Sequence, residues 1–219
     1  MIARMRVRLE RPTIARERDF LEGVRRSRRL HGRFVSTPST SEEYREYLRR
    51  ARRSNQESFF VVLRDSGSLV GVINVNEIVR YALQSGTLGY YAFVPHAGAG
   101  LMREGLSLVL DRAFRDLRLH RLEANIQPAN VRSKALVEGL GFRREGFSPK
   151  YLKINGRWRD HERWAILAEE WLQRQAAERS GALRARASSV STVSPIAAAR
   201  ASAPRARSSA ARASRRASA

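Results

Sequence analysis

The sequence contains no cysteine and no apolar run of the length that a membrane span requires. Without cysteine the chain forms no disulfide, thiolate nucleophile or cysteine-based zinc site. Its four histidines show neither the HExxH pattern nor another metal-ligand spacing, so we expect no metal. The first ten residues lack the apolar region of a signal peptide. We therefore expect a cytoplasmic protein that has no contact with a membrane.

Acidic residues are scarce relative to basic ones. The 219 residues include 42 Lys and Arg against 21 Asp and Glu, which gives a formal net charge of +21. Such a surplus favours a polyanionic neighbour, such as RNA or the ribosome, or an acidic ligand. A hydrophobic content of 42% is typical of a globular protein with a packed core.

Residues 180–219 consist mainly of Ala, Ser and Arg and contain no acidic or aromatic residue. Such a segment buries too little apolar surface to offset the entropy lost on ordering. We therefore predict a folded domain over residues 1–179 and a disordered basic tail over 180–219. Without the eight arginines of the tail, the net charge of +21 falls to +13. The tail is either a solvated extension or a salt-sensitive RNA-binding arm.

Hydrophobic periodicity predicts alternating strands and helices within the domain. Strands are predicted at 6–9, 58–63, 69–75, 87–94, 122–126, 142–147 and 160–167, and helices at 16–30, 41–53, 101–117, 131–139 and from 169. Ser41 is the expected N-cap of the second helix. This order predicts an α+β fold with a mixed sheet, unlike the doubly wound sheet of dinucleotide-binding proteins.

A glycine-containing turn, Gly98-Ala99-Gly100, lies between a predicted strand and the helix over 101–117. Unpaired N–H groups at a helix N-terminus attract phosphate, and glycine lets the backbone approach it closely. Arg103 in the first helical turn would add a charged contact. The alternative is a plain turn. No Gly-Lys-Ser/Thr follows, which excludes a P-loop, and no βαβ unit precedes, which excludes a Rossmann fingerprint.

The same region resembles a known family. Segments 90–94 (YYAFV) and 98–104 (GAGLMRE) resemble the acetyl-CoA-binding motif of the GNAT N-acetyltransferases. Segments 120–125 (HRLEAN), 128–133 (PANVRS) and 140–146 (LGFRREG) follow in the family's order. Segment 151–161 (YLKINGRWRDH) is similar to the ribosomal-protein-alanine acetyltransferase subgroup. The resemblance covers roughly residues 5–171.

The resemblance implies the GNAT acyl-CoA N-acyltransferase fold, a mixed, mostly antiparallel twisted sheet flanked by helices, with acetyl-CoA as cosubstrate. It implies that the strand ending at Phe93 and Val94 splays from its neighbour, so that its free N–H groups hold the pantetheine and polarise the thioester carbonyl. The coenzyme would also contact Gly98, Ala99, Gly100, Leu101, Met102, Arg103 and Asn130. One departure is notable, because residues 95–97 (PHA) stand where the family has a Gln or Arg.

Two residues are candidates for the chemistry. By resemblance, Ser133 would lie near the sulfur and protonate the leaving thiolate; alternatively it is a surface or capping serine. Glu123, on the predicted strand beside the splay, is the candidate base; alternatively it forms an ion pair with an arginine. A protein α-amine has a pKa of about 8, against about 10.4 for lysine, so it needs only a modest base.

These features predict acetyl transfer to the N-terminal α-amine of a protein, with an N-terminal alanine or serine of a ribosomal protein as the favoured acceptor. The resemblance implies that residues 155–161 shape the acceptor side. Two alternatives remain: an acetyltransferase for a small-molecule amine or antibiotic, and a non-catalytic RNA-associated module that keeps the fold.

Overall fold

A single seven-stranded sheet forms the centre of the computed structural model, which describes residues 5–32 and 34–190, the stretch 182–190 by its backbone alone. The strands are β1 (Val7–Glu10), β2 (Glu57–Leu63), β3 (Leu69–Val79), β4 (Ser85–Ala92), β5 (Arg121–Ile126), β6 (Arg143–Ile154) and β7 (Arg157–Leu167). Their order is β1-β2-β3-β4-β5-β7-β6. Of these neighbours, β4 and β5 are parallel and the other pairs are antiparallel.

Helices flank the sheet. They are α1 (Glu17–Arg26), α2 (Arg28–His31), α3 (Ser41–Arg50), α4 (Leu101–Asp111), α5 (Val131–Leu140) and α6 (Ala168–Val190), and a π-helical turn, Arg112–Asp116, extends α4. The mixed, mostly antiparallel sheet confirms the predicted α+β class. No helix in the described ranges combines the length and apolarity needed to span a membrane.

Strand β2 is buried on both of its faces, which explains its unbroken apolar run. Phe59 and Val61 join the core beneath α4, together with Leu106 of that helix. Phe60 packs in a second core on the opposite face, against Phe20 of α1. Strands covered on both faces show continuous hydrophobicity instead of alternation.

Two helix boundaries differ from the prediction. The helix predicted over 16–30 is interrupted at Ser27, which separates α1 from α2. The N-cap of α3 is Thr40 and not Ser41, because the Thr40 hydroxyl accepts a hydrogen bond from the Glu43 N–H at 3.2 Å. A hydroxyl at either position suits a cap, and only the backbone conformation selects Thr40.

The C-terminal elements are longer than predicted. Strands β6 and β7 form one long hairpin that turns at Asn155 and Gly156, both with positive φ. This Asn-Gly pair is a strong turn signal that the strand prediction did not use. Helix α6 continues to Val190, so residues 180–190 belong to a helix instead of the predicted tail. The rest of that tail, residues 191–219, lies outside the described residues.

Candidate active site

Strands β4 and β5 diverge in the middle of the sheet. Their parallel pairing covers Ser85 to Leu88 on β4 and ends at the pair of Leu88 with Ala124. Beyond this point β4 continues to Ala92 along β3, and β5 continues to Ile126 along β7. The facing edges of two strands are therefore unpaired with each other, which leaves room for an extended ligand between them.

The glycine turn stands at one end of this opening. Gly98 and Gly100 have φ values of +85° and +79°, a region that residues with a side chain rarely adopt. Gly100 is the N-cap of α4, and its carbonyl accepts from the N–H groups of Arg103 and Glu104. The first N–H groups of a helix have no partner within it and point out of its N-terminus. This end of α4 therefore suits an anion such as a diphosphate.

Leu101 and Met102 contribute backbone alone to this end of α4, since both side chains are buried in the core. The turn is held from outside by Arg6, a residue that the sequence did not single out. Its guanidinium donates to the Ala99 carbonyl at 3.0 Å and to the Glu104 carboxylate at 2.6 Å. Arg6 therefore braces the turn against the first turn of α4.

Arg103 lies in the first turn of α4, and its contact with a phosphate stays a prediction. Its guanidinium donates to the Gly139 carbonyl at 2.9 Å, and Arg174 donates to the same oxygen at 2.9 Å. Gly139 lies in the last turn of α5. Helix carbonyls there carry partial negative charge, so they attract cations as strongly as a helix start attracts anions.

The N–H groups of Phe93 and Val94 are both occupied, which corrects the prediction that they are free. Phe93 donates to the Val70 carbonyl at 2.7 Å and so extends the β3–β4 ladder. Val94 donates to the Ser27 hydroxyl at 2.9 Å. Because successive peptide groups of a strand point to opposite sides, the N–H groups of Tyr90 and Ala92 face the opening toward β5.

A pair of hydroxyl groups faces the diverging strands. The Tyr90 hydroxyl lies 2.5 Å from the Ser133 hydroxyl, at the start of α5. Burial raises the pKa of Tyr90 to about 12, so the phenol is neutral at physiological pH and is able to donate a proton to Ser133. Ser133 was a candidate from the sequence, whereas Tyr90 was placed in a strand and in the acetyl-CoA motif without a role for its hydroxyl.

Asn130 begins α5 as its N-cap. The side-chain oxygen accepts from the Ser133 N–H at 3.2 Å, which is a structural role for this amide. The amide nitrogen of the same side chain carries two further donors, which are suited to a carbonyl of an extended ligand. Asn130 thus holds Ser133 in place, while its pantetheine contact stays a prediction.

Glu123 lies in the closed part of the sheet, where β5 pairs it with Thr87. Its carboxylate accepts from the Arg121 guanidinium at 2.8 Å. Arg121 also binds Glu145 and lowers the pKa of that carboxyl. The geometry therefore favours the ion-pair interpretation of Glu123 over the base interpretation.

Within the described ranges, no group of three or more His, Asp or Glu side chains is arranged to hold a metal. The arrangement instead offers a helix N-terminus for a diphosphate, an open strand edge for a chain of amides, and a hydroxyl pair.

A family model described as an acetyltransferase (GNAT) domain matches residues 6–143. Bacillus subtilis "Probable N-acetyltransferase YjcK" is 39% identical over 56% of this chain and 67% of its own length. Escherichia coli [ribosomal protein uS5]-alanine N-acetyltransferase is 37% identical over 49% of this chain. This match spans only 55% of the E. coli protein's length.

Two further matches are a spermidine acetyltransferase and a solved structure that contains CoA-disulfide. Spermidine N(1)-acetyltransferase of Vibrio cholerae is 28% identical over 71% of this chain and 90% of its own length. The solved structure of Mycobacterium smegmatis RimJ in complex with CoA-disulfide superposes with a TM-score of 0.69 and 26% identity. The superposition covers 75% of this chain and 83% of that one.

Proposed function

The chain belongs to the GNAT acetyltransferase family and is an acetyl-CoA-dependent N-acetyltransferase, and from this premise we propose that its acceptor is the N-terminal α-amine of a ribosomal protein. The observation that carries acetyl transfer is the opening between β4 and β5, which has the glycine turn at one end and the Ser133 hydroxyl on its side. The similarity to the uS5-alanine N-acetyltransferase supports this choice of acceptor.

Acetyl-CoA would lie along the open edge of β4. The glycine turn and the first two residues of α4, together Gly98 to Met102, would hold the diphosphate through backbone N–H groups. The N–H groups of Tyr90 and Ala92 would face the pantetheine arm and the thioester. A preorganised N–H donor at the thioester carbonyl stabilises the oxyanion that forms on attack, and such a donor contributes about 10²–10³ in rate in other enzymes.

The reaction would proceed by direct transfer. The neutral amine nitrogen attacks the carbonyl carbon, a C–N bond forms, and the C–S bond breaks. The leaving thiolate takes a proton from the Ser133 hydroxyl, which recovers one from Tyr90, and Tyr90 is then reprotonated from solvent. The amine loses its proton to solvent or to a base. Since an α-amine has a pKa of about 8, a useful fraction is neutral without a strong base.

The β6–β7 hairpin is the proposed acceptor side. It exposes large apolar side chains, among them Phe147, Tyr151 and Trp158, of which Trp158 is 60% exposed. Its turn is anchored, because the Ser36 hydroxyl donates to the Asn155 side chain at 2.6 Å. A fixed, partly apolar wall suits a peptide chain. The net charge of +21 suits an acceptor presented beside RNA, in a contact that salt would weaken.

Acetylation of a polyamine is the second candidate, because one relative is a spermidine N-acetyltransferase. A thiol-release assay separates the two. The substrates are peptides that begin with alanine or serine, the same peptides with a blocked N-terminus and an internal lysine, and spermidine. We expect turnover of the unblocked peptides only, since the strongly basic chain repels polycations. Turnover of spermidine alone would refute the proposal. An acetyl mass shift on one ribosomal protein would then identify the acceptor.

Replacing Glu123 by glutamine tests whether this carboxylate is the base, as the sequence suggested, or only an ion-pair partner of Arg121. Because Arg121 engages this carboxylate in the closed part of the sheet, we expect kcat to change by less than about threefold between pH 6 and 9. Arg121 retains Glu145 as a partner, so the variant should stay folded. A kcat at least tenfold lower, with a displaced pH profile, would instead establish Glu123 as the base.

A further inference from the structure

Two polar side chains are buried where α1 meets α2, directly beside the end of β4. Ser27 is fully buried, and His31 is 6% exposed. They are four residues apart in the sequence, so both face the same side of this interrupted helix. Neither belongs to the segments that resemble the acetyl-CoA motif. Buried polar groups are stabilised by their hydrogen bonds, so their partners indicate what they do.

Both side chains bind the backbone of one short segment. The Ser27 hydroxyl accepts from the Val94 N–H at 2.9 Å, and His31 Nε2 lies 2.9 Å from the Ala92 carbonyl oxygen. A carbonyl only accepts hydrogen bonds, so Nε2 carries the proton. Burial lowers the pKa of His31, which keeps the ring neutral at physiological pH. The other ring nitrogen, Nδ1, is buried with no hydrogen-bond partner in the part of the chain that the structure describes.

These contacts fix two successive peptide groups. The group between Ala92 and Phe93 is held from both sides, since Phe93 donates to Val70 at 2.7 Å while Ala92 accepts from His31. The next group is held by Ser27. The Ala92 N–H belongs to the preceding peptide group, in which Tyr91 pairs with Val72 of β3. Because His31 holds the following group, the φ and ψ angles of Ala92 between the two groups are restricted, and with them the direction of its N–H. That N–H faces the opening in which the proposed function places the thioester.

We propose that Ser27 and His31 are positioning residues, which clamp the end of β4 so that the Ala92 N–H points at the thioester carbonyl. The proposal rests on the proposed acetyl transfer and assigns neither residue a contact with the substrate. His31 acts as a neutral donor to the strand, and its unpartnered Nδ1 takes no proton in the reaction. Displacement of the Ala92 N–H by a fraction of an ångström would weaken its hydrogen bond to the oxyanion without removing the coenzyme site.

A matched pair of variants tests the clamp. Glutamine places an amide N–H near the position of Nε2 without a titratable group, whereas leucine removes the donor. We expect His31→Leu to lower kcat at least tenfold with KM for acetyl-CoA changed less than about threefold, and His31→Gln to recover kcat to within about threefold of the parent. The pH profile of His31→Gln should match the parent from pH 6 to 9.

Two results would overturn the clamp. Equal losses in both variants with an altered pH profile would make His31 a base, and unchanged kcat in both would leave it without a role. If His31→Leu does not fold, Ser27→Ala replaces it, with the same expected loss in kcat. These ratios are measured with whichever amine the parent acetylates, so failure of the peptide acceptor is seen separately. Nitrogen-15 NMR adds an activity-independent readout, because the clamp requires the proton on Nε2 at pH 7.

Discussion

Replacement of Ser133 by alanine is expected to lower kcat about 10²-fold while leaving coenzyme A binding within about threefold of the parent. The hydroxyl would no longer protonate the thiolate, and the Tyr90 hydroxyl would keep only its 3.5 Å contact with the backbone carbonyl of residue 133. We expect the lower end of the range for acid catalysis, because thiols have pKa values near 8.5 and their anions leave readily. Steady-state kinetics and calorimetry with coenzyme A measure the two effects.

The structure provides a matched control for this variant. Alanine keeps the backbone N–H that Asn130 caps, so α5 should begin as before and thermal stability should be retained. Tyr90→Phe removes the outer hydroxyl alone and should lower kcat about tenfold, less than Ser133→Ala. If Ser133→Ala kept the parental kcat, Ser133 would be a surface or capping serine, the alternative that the sequence left open.

Gly105→Ala is expected to destabilise the protein by about 1–2 kcal/mol, although alanine normally favours a helix over glycine by about 1 kcal/mol. A Cβ on Gly105 would lie 2.7 Å and 2.9 Å from the two methyl groups of Val61. Val61 is fully buried on β2 and β-branched, so it has no free rotamer to adopt. Overpacking therefore outweighs helix propensity, and α4 must move away from the sheet. Urea unfolding measures the loss.

Gly139→Ala in α5 is the matched control. The nearest atom to a Cβ at that position is 3.8 Å away, which is ordinary contact. Only the higher helix propensity of alanine acts at this position, and we expect the free energy of unfolding to rise by about 0.5–1 kcal/mol. Opposite signs for the two substitutions would support the packing argument. A stabilising Gly105→Ala would mean that α4 lies farther from β2 than the structure places it.

The elements were largely predictable because local patterns agree with the fold. The apolar run of β2 reflects burial on both faces, and Gly98 and Gly100 occupy the positive φ values that a tight turn requires. The predictions that were wrong concerned the ends of helices and strands. Nothing local distinguishes Thr40 from Ser41 as a cap, and the interruption at Ser27 serves a contact with β4 that is distant in sequence.

The glycine turn was predictable from the sequence, and the contacts around it were less so. Arg103 belongs to the expected motif, and the motif did not reveal that its guanidinium donates to a carbonyl of α5. The predicted free N–H of Phe93 was wrong by one residue, because the Phe93 N–H faces β3 whereas the Ala92 N–H faces the opening. Such a shift reverses the direction of a peptide group, and it depends on which neighbouring strand forms the ladder.

The sequence by itself determined the family, the order of strands and helices along the chain and the glycine turn before α4, because these follow from periodicity and from motifs that are local in the chain. Only the tertiary structure decided which hydrogen-bonding groups are occupied. It brought Tyr90 to Ser133, Arg121 to Glu123 and His31 to Ala92. Directional hydrogen bonds depend on distances of a few ångströms between residues on different elements, and no local pattern encodes those distances.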